Sequence, residues 1–94
     1  MKTEELDLVD LLEDLDHQFQ IILYNDEVNT FDWVIECLMD LCEHTAEQAE
    51  QCSLIVHYKG KCTVKHGSFE KLSPICNDLC RRGLSAAVEE NQNA

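Results

Sequence analysis

The apolar run Phe19-Gln20-Ile21-Ile22-Leu23-Tyr24 ends abruptly at Asn25-Asp26-Glu27, and when apolar residues return they do so at a different period. Phe31, Val34, Ile35, Leu38, Leu41 and Cys42 recur at the three-to-four spacing of one helix face. A short run rich in Ile and aromatics, closed by turn-forming Asn-Asp, reads as a strand. A strand handed directly to a helix across a polar turn restricts the chain to folds that mix the two. Asn29 or Thr30 can serve as the N-cap, with Asp32 in the first turn where a negative charge suits the helix dipole. The mouth of this helix is therefore acidic and apolar together, which suits a ligand with a positive end and a greasy body. The same residues also fit a strand-to-helix turn that is merely polar.

Charge narrows the partners. Nineteen acids against seven basic residues give a net charge of -12, and no Lys or Arg occurs between Lys2 and Lys59. Nucleic acid is not an expected partner, because its affinity comes from clustered Lys and Arg. Cationic partners are favoured, although high net charge also serves solubility alone. With 94 residues, 45% of them apolar, the chain makes one small globular domain, and no apolar run reaches the length of a membrane span. The leucines of the first residues are interleaved with acids rather than arranged as an export signal, so the expected location is the cytoplasm, with no membrane partner.

That expectation bears on the cysteines at positions 37, 42, 52, 62, 76 and 80. In a reducing compartment they are thiols, and Cys37, Cys52 and Cys76 fall on or beside helical apolar stripes, where a thiol acts as a small hydrophobe. No Cys-x-x-Cys pair exists, and Cys42, His44, Cys76 and Cys80 match no finger or ribbon spacing. No metal and no cofactor are expected.

Residues 1–17 form an acidic extension, either a frayed amphipathic helix or a disordered tail. The domain spans 18–90, and 91–94 are a polar tail. After the strand at Phe19 to Tyr24, a first helix is expected from Thr30 to Cys42. Thr45-Ala46-Glu47-Gln48 fits a capping box and opens a second helix to about Val56, with Ala46, Ala49, Cys52, Ser53 and Val56 on its inner face. His57-Tyr58-Lys59-Gly60-Lys61 ends it, Gly60 being free to take a positive φ. A second strand follows from Cys62 to Lys65 or His66. Ser68 then caps a helical stripe of Phe69, Leu72, Ile75, Cys76 and Leu79 that stops at Gly83. Pro74 either kinks this helix or starts its regular part after a Ser73 cap. A last strand covers Leu84 to Glu89. The order β-α-α-β-α-β predicts an α+β fold, a small two-layer sandwich with a three-stranded antiparallel sheet packed on three helices.

Four segments taken together resemble a known family: Tyr24-Asn25-Asp26-Glu27, Phe31 to Leu38, Val56-His57-Tyr58-x-Gly60-Lys61, and Leu84 to Glu89. Over roughly residues 18 to 90 the chain is similar to ClpS, the adaptor that hands N-degron substrates to a Clp-type AAA+ unfoldase and its peptidase. The resemblance implies a protein that is not an enzyme. It would bind, as a monomer, proteins whose first residue is Leu, Phe, Tyr or Trp, and dock on the N-terminal domain of the unfoldase. The substrate α-amine would be held by Asn25, Glu27 and His57, with Asp26 close by to accept from the peptide. An ammonium has three donors, and an amide oxygen, a carboxylate and a neutral imidazole nitrogen supply three acceptors. The first side chain would enter a pocket drawn from Leu23, Phe31, Val34, Val56 and Leu84. Glu70 and Lys71 are the candidate unfoldase contacts, and the acidic extension would serve delivery after docking. Two positions depart from the common pattern. Glu27 stands where the family has Asp, and Asn29-Thr30-Phe31 stands where Thr-Pro-Met is common. Two further readings use the same residues: acid–base chemistry by Asp26 or Glu27 with His57, or thiol and metal chemistry by the cysteines.

Overall fold

A computed structural model describes residues 18–91, so the expectations for the acidic extension 1–17 and for residues 92–94 lie outside the described residues. Six elements follow in the order strand β1 (Phe19–Tyr24), helix α1 (Phe31–Leu41), helix α2 (Ala46–Lys59), strand β2 (Lys61–Gly67), helix α3 (Phe69–Arg81) and strand β3 (Ser85–Glu90). The expected order and two-layer α+β architecture are what the structure shows.

The first strand becomes the centre of the sheet. The strand order is β2-β1-β3, with β1 antiparallel to both neighbours. Tyr24 pairs with Lys61 on one side and Ser85 on the other, and Phe19 pairs with Gly67 and Glu90. Ile21 and Leu23 face the helices and are fully buried, whereas Ile22, on the opposite face, is covered by its ladder neighbours and lines a shallow groove with Gln20, Thr63 and Glu89. Asn91 prolongs the β3 pairing by donating its backbone N–H to the Gln18 carbonyl at 2.8 Å. On the outer face the Tyr24 hydroxyl donates to Glu89.

One irregularity in the sheet is repaired by a histidine. The β1–β2 register skips between Ile21, opposite Lys65, and Ile22, opposite Thr63, so Val64 is an extra residue on β2. The bulge turns Val64 into the core, and its unpaired carbonyl accepts from His44 Nε2 at 2.7 Å. A carbonyl can only accept, so Nε2 carries the imidazole proton.

Each helix buries one stripe: Cys37 and Leu38 from α1, Ala49, Ser53 and Val56 from α2, and Leu72, Cys76 and Leu79 from α3. The caps agree with the sequence. Thr30 Oγ1 accepts from the Trp33 N–H at 3.1 Å, settling the choice between Asn29 and Thr30, and Thr45 with Gln48 completes a reciprocal capping box. Some details differ from expectation. Helix α2 runs on to Lys59, because Gly60 at φ 93° supplies the left-handed cap only there, so His57 and Tyr58 stay helical. Ala46, expected on the inner face, is exposed in the first turn. Of the two readings of Pro74, the start after a Ser73 cap is excluded, because helix α3 runs from Phe69 with Pro74 inside it; the missing N–H leaves the carbonyl of exposed Glu70 without its intrahelical partner. Leu84 lies in the turn that closes α3, just before β3. Its N–H donates to the Leu79 carbonyl and that of Gly83 to Cys80, the paired bonds of a Schellman turn with Gly83 at φ 95°.

Candidate functional site

Three connections converge where β1 gives way to α1. The Asn25 N–H donates to the Gly60 carbonyl at 2.9 Å, fastening the end of β1 to the end of α2 one turn beyond His57. Asn29 Nδ2 donates to the Gly83 carbonyl at 2.8 Å, and Trp33 Nε1 to the Arg82 carbonyl at 3.0 Å, which fastens the start of α1 to the α3–β3 turn. Arg82 in turn lies over the Trp33 ring and donates to Asp40 at 3.0 Å.

Asp26 builds the loop from within. Its Oδ1 accepts from the Val28 and Asn29 backbone N–H groups at 2.9 and 2.8 Å, and its Oδ2 accepts from Asn29 Nδ2 at 2.8 Å and faces Ser85 Oγ at 3.5 Å. A carboxylate offers about four acceptor positions, so Asp26 is almost fully engaged by its own loop. These donors hold its carboxyl below the ordinary carboxylate range, the Asn29 N–H contributing most and partial burial opposing it. The sign follows from which form the loop binds. The ionised form is favoured in the folded state, so its contribution is complete above the unfolded value and disappears as pH falls through the lower folded one. The Val28 and Asn29 amide resonances are therefore expected to titrate together with a midpoint below about 3.9. A midpoint at or above that value would show that the loop does not hold the charged form.

The neighbours of Asp26 are arranged in the opposite way. The side chains of Asn25, Glu27 and His57 have no hydrogen-bond partner among the described residues, and His57 meets only the edge of Tyr58 at 5.0 Å between ring centroids. All three are exposed, and all three line one cleft of about 680 Å³. Its apolar walls are Phe31 and Val34 from α1 and Leu54 and Val56 from α2, and Asp26, Asn29, Ser53 and Tyr58 complete the lining. Phe31 is 39% exposed, so it is wall and not core. Leu23 and Leu84 do not reach this cleft. They line a small adjoining recess of about 20 Å³ that shares Asn25, Asp26, Asn29, Val34 and Val56 with it. Both leucines are core residues at 2% and 5% exposure, so they back the site from beneath.

The structure therefore brings together all four amine-site candidates and three of the five pocket candidates, with the other two one layer down. Glu70 and Lys71 stand elsewhere. They are exposed on the first turn of α3, beside Phe69, whose ring packs edge-on against Phe19 at 5.5 Å, at the opposite end of β1 from the cleft. Asn29, Ser53, Leu54 and Tyr58 were missed as lining residues. Ser53 lies four positions before His57 on the same helix face, a spacing that becomes informative only once His57 is known to be helical.

Burial pushes Cys42 and Cys76 up to about 11, and it raises Cys37 and Cys52 as well, so these side chains are neutral and packed. Among the described residues no group of three or more His, Cys, Asp or Glu side chains is placed to hold a metal ion, and no helix is long and apolar enough to cross a membrane.

Comparison with known proteins gives a consistent picture. The family model described as ATP-dependent Clp protease adaptor protein ClpS matches residues 14–87. A ClpS adapter from Campylobacter jejuni subsp. doylei is 38% identical over 60 residues, covering 64% of this chain and 60% of that protein. The ClpS of Thermosynechococcus vestitus is 34% identical over 73 residues, covering 77% of this chain and 78% of that one. Among solved structures, Agrobacterium tumefaciens ClpS2 bound to L-phenylalaninamide superposes with a TM-score of 0.76 at 13% identity, covering 81% of this chain and 99% of that one. The match thus spans about 60% of the length of the Campylobacter relative.

Proposed function

This chain belongs to the ClpS adaptor family, and from that premise we propose that it binds proteins with a bulky apolar N-terminal residue and delivers them to a Clp-type AAA+ unfoldase and its peptidase. One observation carries the reading. Asn25, Glu27 and His57 offer three acceptors that the described protein leaves unused, on the rim of a cleft whose walls are Phe31, Val34 and Val56. An α-ammonium followed by a Leu or Phe side chain has the matching features in the matching order. The amide of L-phenylalanine, which Agrobacterium ClpS2 binds, has the same two features. In this reading Asp26 acts mainly by holding the loop in which Asn25 and Glu27 stand.

The magnitudes suit delivery rather than storage. Burying a Leu or Phe side chain contributes about 1.5–3 kcal/mol, and each hydrogen bond to a charged group about 1.5–3 kcal/mol. Gross stabilisation of roughly 6–12 kcal/mol, less the ordering of a flexible peptide end, gives affinity on the order of micromolar. Release at that affinity is fast enough for transfer. Binding and release need no covalent step, so the protein acts as an adaptor and not as an enzyme. Residues 18–90 form the adaptor domain, a monomer acting in the cytoplasm, and residues 1–17 are the tether that the unfoldase engages. Glu70 and Lys71 contact the N-terminal domain of the unfoldase on a face separate from the cleft, which leaves substrate and unfoldase free to bind together.

Fluorescence anisotropy with labelled peptides that differ only in their first residue tests the reading. Leu, Phe, Tyr and Trp peptides are expected to bind at least about tenfold more tightly than Asp or Ser peptides, since the latter bury almost no apolar surface. Equal affinity across the series would overturn it.

A further inference from the structure

The adaptor reading above gives Ser53 no task. Ser53 lines the cleft from the inner face of α2 and is only 3% exposed, yet its Oγ has no hydrogen-bond partner among the described residues. A serine within a helix ordinarily returns its hydroxyl to the carbonyl one turn back, and a buried polar group left unpaired is disfavoured. On its own helix the neighbours of Ser53 along the stripe are Ala49 and Val56, and Phe31 and Val34 of α1 line the same cleft. Among the residues of the cleft, Asn25, Glu27 and His57 stand at the exposed rim, while Ser53 and Val56 are the buried ones. The cleft is therefore polar at its mouth, apolar along its walls and polar again at one buried point.

We propose that Ser53 is a specificity residue that selects an N-terminal tyrosine over phenylalanine. This rests on the adaptor reading and refines it. With the α-amine held at the rim, a rigid aromatic side chain runs inward along Phe31, Val34 and Val56, and the atom it carries farthest from the amine is the para substituent of its ring. In tyrosine that substituent is a hydroxyl, which both donates and accepts, as the serine hydroxyl does. Each group then satisfies the other. Phenylalanine fills the same walls and leaves Ser53 unpaired as before, so it gains the apolar contacts alone. A site that pairs a substrate hydroxyl discriminates mainly through the groups left unpaired when the pair is broken. The sharper consequence thus appears when the serine is removed. In Ser53→Ala the tyrosine hydroxyl is taken from water into a site with no partner, whereas phenylalanine meets a methyl group.

The test measures Kd for three free-amine peptides, beginning with Tyr, Phe and Leu, against the full chain and its Ser53→Ala variant. The wild type is expected to favour Tyr over Phe by about three- to tenfold, and the variant to reverse the order, so that the Tyr/Phe ratio changes by at least about tenfold between the proteins. Leu and Phe affinities are expected to hold or improve. The variant is expected to melt no earlier than wild type, because the substitution removes an unpaired buried hydroxyl and places Ala within a helix. A general packing defect would weaken all three peptides alike, leave the ratio unchanged and so overturn the proposal. Equal Tyr and Phe affinities in both proteins, with all peptides still bound, would overturn it while the adaptor reading stands. Failure of every free-amine peptide to bind the wild type would overturn both.

Discussion

A peptide beginning with Phe and carrying a free α-amine is expected to bind at least about tenfold more tightly than its N-acetylated twin, a difference of about 1.4 kcal/mol or more. Acetylation leaves the first side chain intact, so the apolar walls lose nothing. It does remove the positive charge and reduce three donors to one amide N–H. Hydrogen bonds to a charged group contribute about 1.5–3 kcal/mol each, so losing two of them predicts more than the tenfold floor. The acetyl carbonyl would also point an acceptor toward Asn25, Glu27 and His57, which are acceptors themselves. His57→Ala is expected to reproduce most of the loss without unfolding the domain, because the residue is exposed on the last turn of α2 and its ring meets the edge of its chain neighbour Tyr58. Equal affinity for the free and acetylated peptides would place the ligand's amine somewhere other than this rim.

Leu38→Ala is expected to cost about 2–5 kcal/mol of unfolding free energy, as large-to-small changes at fully buried leucines do. Leu38 has no exposed surface and belongs to the core cluster with Ile21, Leu72 and Leu79. Domains of this size have total stabilities of about 5–15 kcal/mol, so urea denaturation should show a large fall in the midpoint. Phe31→Ala, on the same helix two turns earlier, should behave differently. Its ring is a partly exposed wall of the cleft, so the midpoint should move little while rejection of Val and Ile at the peptide's first position relaxes. A loss of 3–5 kcal/mol for Phe31→Ala, the usual result for a core Phe, would remove it from the pocket wall.

The contrast between Leu38 and Phe31 also shows where sequence reading reaches its limit. Both lie on the stripe that the three-to-four spacing picks out, and periodicity treats them alike. What separates them is position along the axis. Leu38 lies within the core cluster with Ile21, Leu72 and Leu79, whereas Phe31, on the first turn of α1, faces the last turns of α2 across the cleft. Coverage is a property of the assembled layers. The same reason sorts Leu23 and Leu84, placed in the pocket by resemblance and found lining the adjoining recess, from Val34 and Val56, which line both the cleft and the recess.

Local chemistry was legible because its partners are close in sequence. The capping box of Thr45 and Gln48, the left-handed Gly60, the N-cap at Ser68 and the strand that stops at Asn25 each depend on residues within about four positions, and each was readable from the chain alone. So was the α+β order, since it needs only the period of each segment. The tertiary structure decided whatever depends on pairing across the chain. The Val64 bulge and its repair by His44, the approach of Ser85 to Asp26, the bonds that carry Asn29 and Trp33 to the α3–β3 turn, and the burial of Ser53 at the cleft all join residues from different elements. Asn25, Asp26 and Glu27 are consecutive acceptors and are indistinguishable as a sequence. Once the loop is closed, Asp26 takes its donors from the protein while Asn25 and Glu27 take none among the described residues, because a short turn has room inside for one carboxylate and leaves its neighbours facing outward.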